Sequence, residues 1–501
     1  MLDRFVAYNA RHNGADIAFG SMARQQSYAQ LEAIVSRLAR ALEGLRDLAP
    51  RRVAVQCADT WRHWALTLAL GRLGLASASL LNGDVSEEDL TLLHPEIIII
   101  HGTGGLPAGE GRLILDEAWF ERVLEGVEED DASNYYPPVP VEPSAPCRAA
   151  LVSGTDRNTH LLELSFTELE AELHRFIYHD MVEFFLRKGR DTQLVGNKPH
   201  LLCSIGPQSL SGFLMAGAAL AAGTTVHSSD AQNIATEMMQ ASEILLVLTP
   251  AHLGYVLKAL PPTTQLMSHI HLRVVGAGLS QQLLEQTRER FTPHVQIVYG
   301  TDETGIVTAI SAEKRQNEES VGMPLPWVEV EVVDAKGQRC PIGEVGHIRI
   351  RSGSVRGYRD GRPTSGARFH EGWFYPGDRG AISTTGEVHL HGRADALINV
   401  GGAKFDLGVV EEILLTEPRI KEAGVFMLED RQGVERCYAA IVSTETFDEQ
   451  ALSVKLRQRY AALPPVTMIW VPEIPRTTEG HVERERLRAM LKDYIQHKLE
   501  R

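Results

Sequence analysis

Cysteine is scarce in this chain, with five among 501 residues: Cys57, Cys147, Cys203, Cys340 and Cys437. None forms a C-x-x-C pair and all lie far apart. That excludes a disulfide framework or a cysteine zinc site and suits free thiols in a reducing cytoplasm. Long apolar runs are also missing. The most apolar stretch, near Gly212–Val226, is rich in Gly and Ala and too short and broken to span a bilayer, so no membrane insertion is expected. The opening MLDRFVAYNARHNG has no apolar h-region, so no secretory signal is expected either. There is no basic surplus: 50 Lys and Arg stand against 65 Asp and Glu, a formal net charge of −15. This argues against a nucleic-acid-binding surface and a basic membrane patch, though not against a locally basic nucleotide pocket. Three fingerprints are absent as well. No G-x-x-x-x-G-K-[ST] loop occurs, no complete G-x-G-x-x-G follows a strand, and no G-x-S-x-G elbow exists. A P-loop NTPase, a dehydrogenase and a serine hydrolase are left without support.

What is present is an α/β rhythm. Hydrophobic residues make up 44% and charged residues 23% of the chain, the balance of a soluble globular protein. The length predicts about two to four domains. Tyr28–Leu45 has helical spacing, Arg52–Cys57 reads as a strand, Trp61–Leu73 as a helix and Glu96–Ile100 as a buried strand, which implies a mostly parallel, doubly covered sheet. Glu128–Pro146 is acidic and then Pro-rich, a loop between subdomains. A second α/β run extends from Ala149 to about Thr308. Short strands at Val328–Val333, Val345–Arg351 and Glu387–His391 then suggest a small barrel-like β unit. A compact tail follows, with a helix at Gly408–Leu415, strands at Glu422–Met427 and Cys437–Val442, and a helix at Asp448–Leu463.

Five short segments carry chemical meaning. Ser153-Gly154-Thr155 offers small residues and backbone N–H groups suited to a phosphate cradle, although such a turn alone is usually only a turn. In Tyr299-Gly300-Thr301-Asp302-Glu303 an aromatic ring can stack on a purine, and a carboxylate at Glu303 can hold the Mg²⁺ that bridges ATP phosphates. Asp378, in Tyr375-Pro376-Gly377-Asp378, can accept hydrogen bonds from both hydroxyls of a ribose. The single segment Gly392–Lys404 comes next, holding Gly392-Arg393-x-Asp395 and Val400-Gly401-Gly402-Ala403-Lys404, and is equally readable as surface. Last is Pro475-Arg476-Thr477-Thr478-Glu479-Gly480-His481-Val482-Glu483-Arg484. Upstream, Val274–Leu279 is a glycine-bearing strand and turn, with Gly276 and Gly278.

In this order and at these separations, the segments resemble the adenylate-forming superfamily: acyl- and aryl-CoA synthetases, luciferases and the adenylation domains of peptide synthetases. The resemblance runs from Ser27-Tyr28 to Arg484. It implies an α/β fold with a large N-terminal domain (1–392) of two doubly wound subdomains plus a distorted β-barrel unit. A small mobile α+β C-terminal domain (393–501) would follow, hinged near Asp395. It implies ATP-dependent activation of a small or aryl carboxylic acid, with Mg²⁺, and transfer of the acyl group to CoA or to the phosphopantetheine of a carrier protein. By the same resemblance, Ser153, Gly154 and Thr155 hold the β,γ-phosphates. Gly276 and Gly278 flank the adenine and acyl pocket. Tyr299 stacks on adenine, with Gly300, Thr301 and Asp302 beside it. Glu303 binds Mg²⁺, Asp378 and Arg393 bind ribose, and Ser209 and Gly278 line the substrate pocket. No Asp stands where an α-amino group would be held, which disfavours an amino acid.

Four positions depart from the family pattern. His160 stands where the phosphate loop has Lys, Asp302 where Thr is usual, Pro376 where Thr is usual, and His481 where a Lys stabilises charge as the acyl-phosphate bond forms. An anion at Asp302 should repel the α-phosphate unless a metal intervenes. An unperturbed His titrates near ~6.5 and is mostly neutral at pH 7. Losing one preorganised charge donor costs roughly 10²–10³ in rate. Two readings stay open: an active acid–thiol ligase with His481 in the Lys role, and a nucleotide-binding or carrier-binding relative that adenylates weakly or not at all.

Overall fold

The computed structural model describes residues 2–20, 25–47, 52–80, 85, 87–102, 109–127, 134–153, 159–188, 200–227, 243–261, 264–276, 278–354, 357–359, 368–393, 397–400, 403–429, 435–443, 445–459, 465–476 and 482–495. Near-continuous apolar strands such as Val53–Cys57 and Ile97–His101 have no polar face to turn to water, so they must be covered on both sides. They meet that need in a six-stranded sheet. Its strands are β1 (Val53–Cys57), β2 (Ser77–Ser79), β3 (Ile97–His101), β4 (Arg112–Ile114), β5 (Pro146–Ser153) and β6 (Thr159–Ser165), in the spatial order β4-β3-β1-β2-β5-β6. All neighbours run parallel except β5 and β6. Helix α1 (Thr60–Arg72) starts at Asp59, whose carboxylate accepts from the Trp61 amide, one of the donors a helix start leaves unpaired.

Among the described residues the second sheet has 15 strands. At one end Ile17–Gly20 and Gln25–Ser27 pair with each other, and Ile17–Gly20 also pairs with Val226–His227. Four parallel strands form its middle: β7 (His200–Cys203), β8 (Ile244–Leu248), β9 (Ile270–Val274) and β10 (Val295–Thr301). The chain then reverses into β11 (Gly305–Ser311), and the sheet continues antiparallel through Ser320–Pro324 to β13 (Val388–Arg393) and β12 (Asp378–Ile382). The short strands expected after Thr308 are therefore continuous with the second α/β sheet. Helices α2 (Phe166–Lys188) and α3 (Leu210–Ala221) pack together. One core cluster joins α3 to the first sheet through Trp64, Phe213, Leu214 and Val152.

From residue 397 the chain forms separate sheets: the hairpin Leu397–Val400 and Ala403–Asp406, and a three-stranded sheet of Ile420–Glu429, Glu435–Ser443 and Val466–Trp470. Among the described residues, the apolar clusters there draw on residues 407 to 495. All five cysteines are free. Among the described residues no helix is long and apolar enough to cross a membrane.

Candidate functional site

The antiparallel reversal at β10–β11 builds one half of the site. A bulge between Tyr299 and Gly300 shifts the register of the pair and turns the end of the strand out of the ladder. Only glycine fits at position 300, because a Cβ there would lie 2.2 Å from the Gly305 carbonyl oxygen. Gly305 takes φ +64 to close the turn, and the Thr304 hydroxyl accepts from the Thr301 amide at 3.2 Å. The Tyr299 hydroxyl donates to Asp378 Oδ2 at 2.6 Å. Asp378 and Arg393 face each other in register across β12 and β13, with an Arg393 nitrogen 3.6 Å from Oδ1. Burial and then the Asp378 charge push the Tyr299 phenol well above its ordinary range, so it stays a hydrogen-bond donor. Three residues singled out from the sequence, far apart along the chain, thus meet as one aromatic–carboxylate–guanidinium group.

Glu303 lies in the same turn and is buried, 6% exposed. Its Oε1 accepts from the Tyr358 hydroxyl. The Tyr358 ring in turn lies flat against His160, with centroids 4.0 Å apart and planes at 6°. His160 is fully buried, so this imidazole packs the wall behind Glu303. Tyr358 was not singled out from the sequence, because nothing local in Gly357-Tyr358-Arg359 marks a partner for a distant carboxylate. Mg²⁺ is commonly held by one or two carboxylates while substrate phosphates and water complete its shell. Glu303 fits that mode. Among the described residues no group of three or more His, Cys, Asp or Glu side chains gathers to hold a metal, so a metal here would come with its phosphates.

Asp302 points to the start of α3. Its Oδ1 accepts from the Ser211 amide at 2.9 Å and from the Ser211 hydroxyl. A carboxylate is favoured at a helix N-terminus, where free N–H groups and the aligned peptide dipoles are positive. The charge expected to oppose a phosphate is met by this helix. Ser209 caps the same helix, accepting from the Gly212 amide at 3.5 Å, and is 2% exposed. Gly212 is packed so tightly that a Cβ would come 2.3 Å from the Gly206 carbonyl oxygen. Gly276 sits just beyond β9 with φ +89, and Gly278 is exposed.

Ser153 ends β5 opposite Thr159. Gly154, Thr155, Asp395 and His481 lie outside the described residues. The residues flanking His481 are anchored: Arg476 and Val482 form a bridge, Arg476 pairs with Glu422 at 2.9 Å and Arg484 with Glu411 at 2.7 Å.

The AMP-binding enzyme family model matches residues 190–359. Oxalate–CoA ligase of Arabidopsis thaliana is 28% identical over 230 residues, 44% of this chain and 45% of the ligase. Gramicidin S synthase 2 of Brevibacillus brevis is 30% identical over 227 residues, 42% of this chain and 5% of that protein. The chain thus matches less than half the length of these curated relatives. In three dimensions it resembles ATP-bound MatB from Rhodopseudomonas palustris, with a TM-score of 0.77 and 22% identity over 99% of this chain and 100% of MatB.

Proposed function

Given that the chain belongs to the adenylate-forming superfamily, we propose that it activates a carboxylic acid with ATP and passes the acyl group to a thiol. In the first step a carboxylate oxygen of the acid attacks the α-phosphate, releasing pyrophosphate and leaving acyl-AMP. In the second a thiolate attacks the acyl carbon and AMP departs. The observation that carries this reading is the meeting of Tyr299, Asp378 and Arg393. In the nucleotide complex Asp378 exchanges the Tyr299 hydroxyl for ribose hydroxyls, Arg393 holds its other oxygen, and the freed Tyr299 ring covers the adenine. Glu303 holds Mg²⁺, which neutralises phosphate charge when bound. Ser153, Gly154 and Thr155 receive the β,γ-phosphates, and His481 supplies the donor at the reacting carboxylate. Gly276, Gly278 and Ser209 belong to the acid pocket. The likeness to oxalate–CoA ligase, matched over a similar share of both chains, favours CoA as acceptor over a carrier protein. Residues 393–501 move as a unit about Asp395 between the two steps.

Acid-dependent ATP–pyrophosphate exchange, run over aryl, short-chain, long-chain and amino acids, tests the first step. Exchange with one class is the expected result. A second reading, a relative that binds nucleotide without adenylating, draws on His160, whose ring is committed to packing against Tyr358 where the family places a Lys. ATP binding with no exchange for any acid supports that reading. His481→Lys then separates the cases further. A rise in exchange shows that only the charge at this position was limiting, and no rise shows that the fault lies elsewhere.

A further inference from the structure

Arg148 lies in β5, beside the apolar run Ala149–Val152, and is 1% exposed. A buried guanidinium normally faces a carboxylate, because an ion taken out of water without a counter-charge is strongly unfavourable. No carboxylate among the described residues pairs with this one. Its partners are neutral: Nη1 donates to the Ser77 hydroxyl at 3.3 Å, and Nη2 donates to the Ser79 hydroxyl at 2.6 Å and to the Pro207 carbonyl at 2.5 Å. Nε has no partner among the described residues. The flat ion lies over the Phe213 ring at 4.2 Å, and Phe213 stacks on Trp64 at 5.1 Å. Ser79 is within 2.6 Å of His63 Nε2. Burial and Arg148 itself drive the His63 imidazole down to about 3, so that ring is neutral and shares a hydrogen bond with the Ser79 hydroxyl. Burial likewise lowers Arg148 to about 9, leaving it charged at neutral pH.

These contacts converge on one segment. Residues 205–212 run from beyond β7 into the first turn of α3 and are fixed from both sides: Gly212 against the carbonyls of Ile205 and Gly206, Ser209 as the cap of α3, and Ser211 on Asp302. Arg148 supplies the tie from the first sheet, at the Pro207 carbonyl. We propose that Arg148 is a positioning residue that sets the 205–212 segment, and through it the acid-pocket residue Ser209, relative to the Tyr299–Glu303 turn. This rests on the acid-adenylation reading. A cation satisfied only by hydroxyls and a carbonyl can hold this segment without placing a competing anion beside an anionic substrate.

Arg148→Met keeps the stem and removes the donors, and Arg148→Lys keeps the charge but not the fork. In pyrophosphate exchange, Arg148→Met should raise the acid KM about tenfold, the scale of a lost charged hydrogen bond, and leave the ATP KM within about twofold. Arg148→Lys should recover part of the loss, and Ser79→Ala should move the acid KM in the same direction. Equal shifts in both KM values, or a lower Tm with both unchanged, would overturn the proposal. Hydrogen exchange of the amides gives a readout that needs no turnover. In Arg148→Met the 205–212 amides should exchange faster while those of Val295–Thr301 keep their rates. Unchanged exchange at 205–212 sinks the proposal even in an active enzyme, whereas a wild type without pyrophosphate exchange sinks only the reaction assigned above.

Discussion

At the scale of single residues, the site shows how one substitution changes meaning with its neighbour. Read alone, Asp302 is an anion placed where phosphate should approach. In the fold it meets Ser211, 91 positions away, at the start of α3, and the charge becomes a helix-terminal contact. No local pattern links these positions, so the pair was not legible in the sequence. Tyr299, Asp378 and Arg393 were legible, because each sits in a segment whose neighbours mark it. Asp302→Thr should therefore lower stability by about 1 kcal/mol, the usual worth of a charge or cap at a helix start, read from the denaturant midpoint. It should leave the ATP Kd near the wild-type value. A clearly tighter Kd with unchanged stability would return Asp302 to the phosphate site.

Among elements, the parallel strands and their covering helices were read correctly from hydrophobic pattern. Trp61–Leu73 was expected and Thr60–Arg72 is found. Glu96–Ile100 was expected and Ile97–His101 is found. Apolar content decides such segments locally. What pattern did not convey is how the later short strands join the second sheet, since pairing between Gly305–Ser311, Ser320–Pro324 and Val388–Arg393 is set by tertiary partners. Helix α3 belongs to this scale, for Ser209, proposed above to line the acid pocket, caps its N-terminus. Ser209→Ala removes its cap and should cost about 1 kcal/mol. If Ser209 contacts the acid, the acid KM should rise as well. A stability loss without any change in KM would leave Ser209 with the capping role alone.

The whole molecule carries a pH dependence and, on the proposed reading, a division of labour. Burial depresses His63 to about 3 and His227 to about 4, below the ~6.5 of an unfolded histidine. Between these values the unfolded chain binds the extra protons, so stability falls as pH drops from about 6.5 through the folded values. Urea midpoints between pH 7 and pH 4 should show that decline, and His227→Asn should make it shallower. A slope identical to the wild type would assign the decline to other groups. The division of labour follows from the separate cores. Among the described residues, the clusters from Leu407 onward share no member with those of the large sheets, so the rotation proposed for the C-terminal part would open neither core. Such rotation needs a backbone free to change φ at the junction, and proline removes that freedom. Asp395→Pro should therefore keep acid-dependent pyrophosphate exchange and lose thioester formation with CoA. Loss of both activities together would mean that position 395 shapes the first step, and retention of both would place the pivot elsewhere.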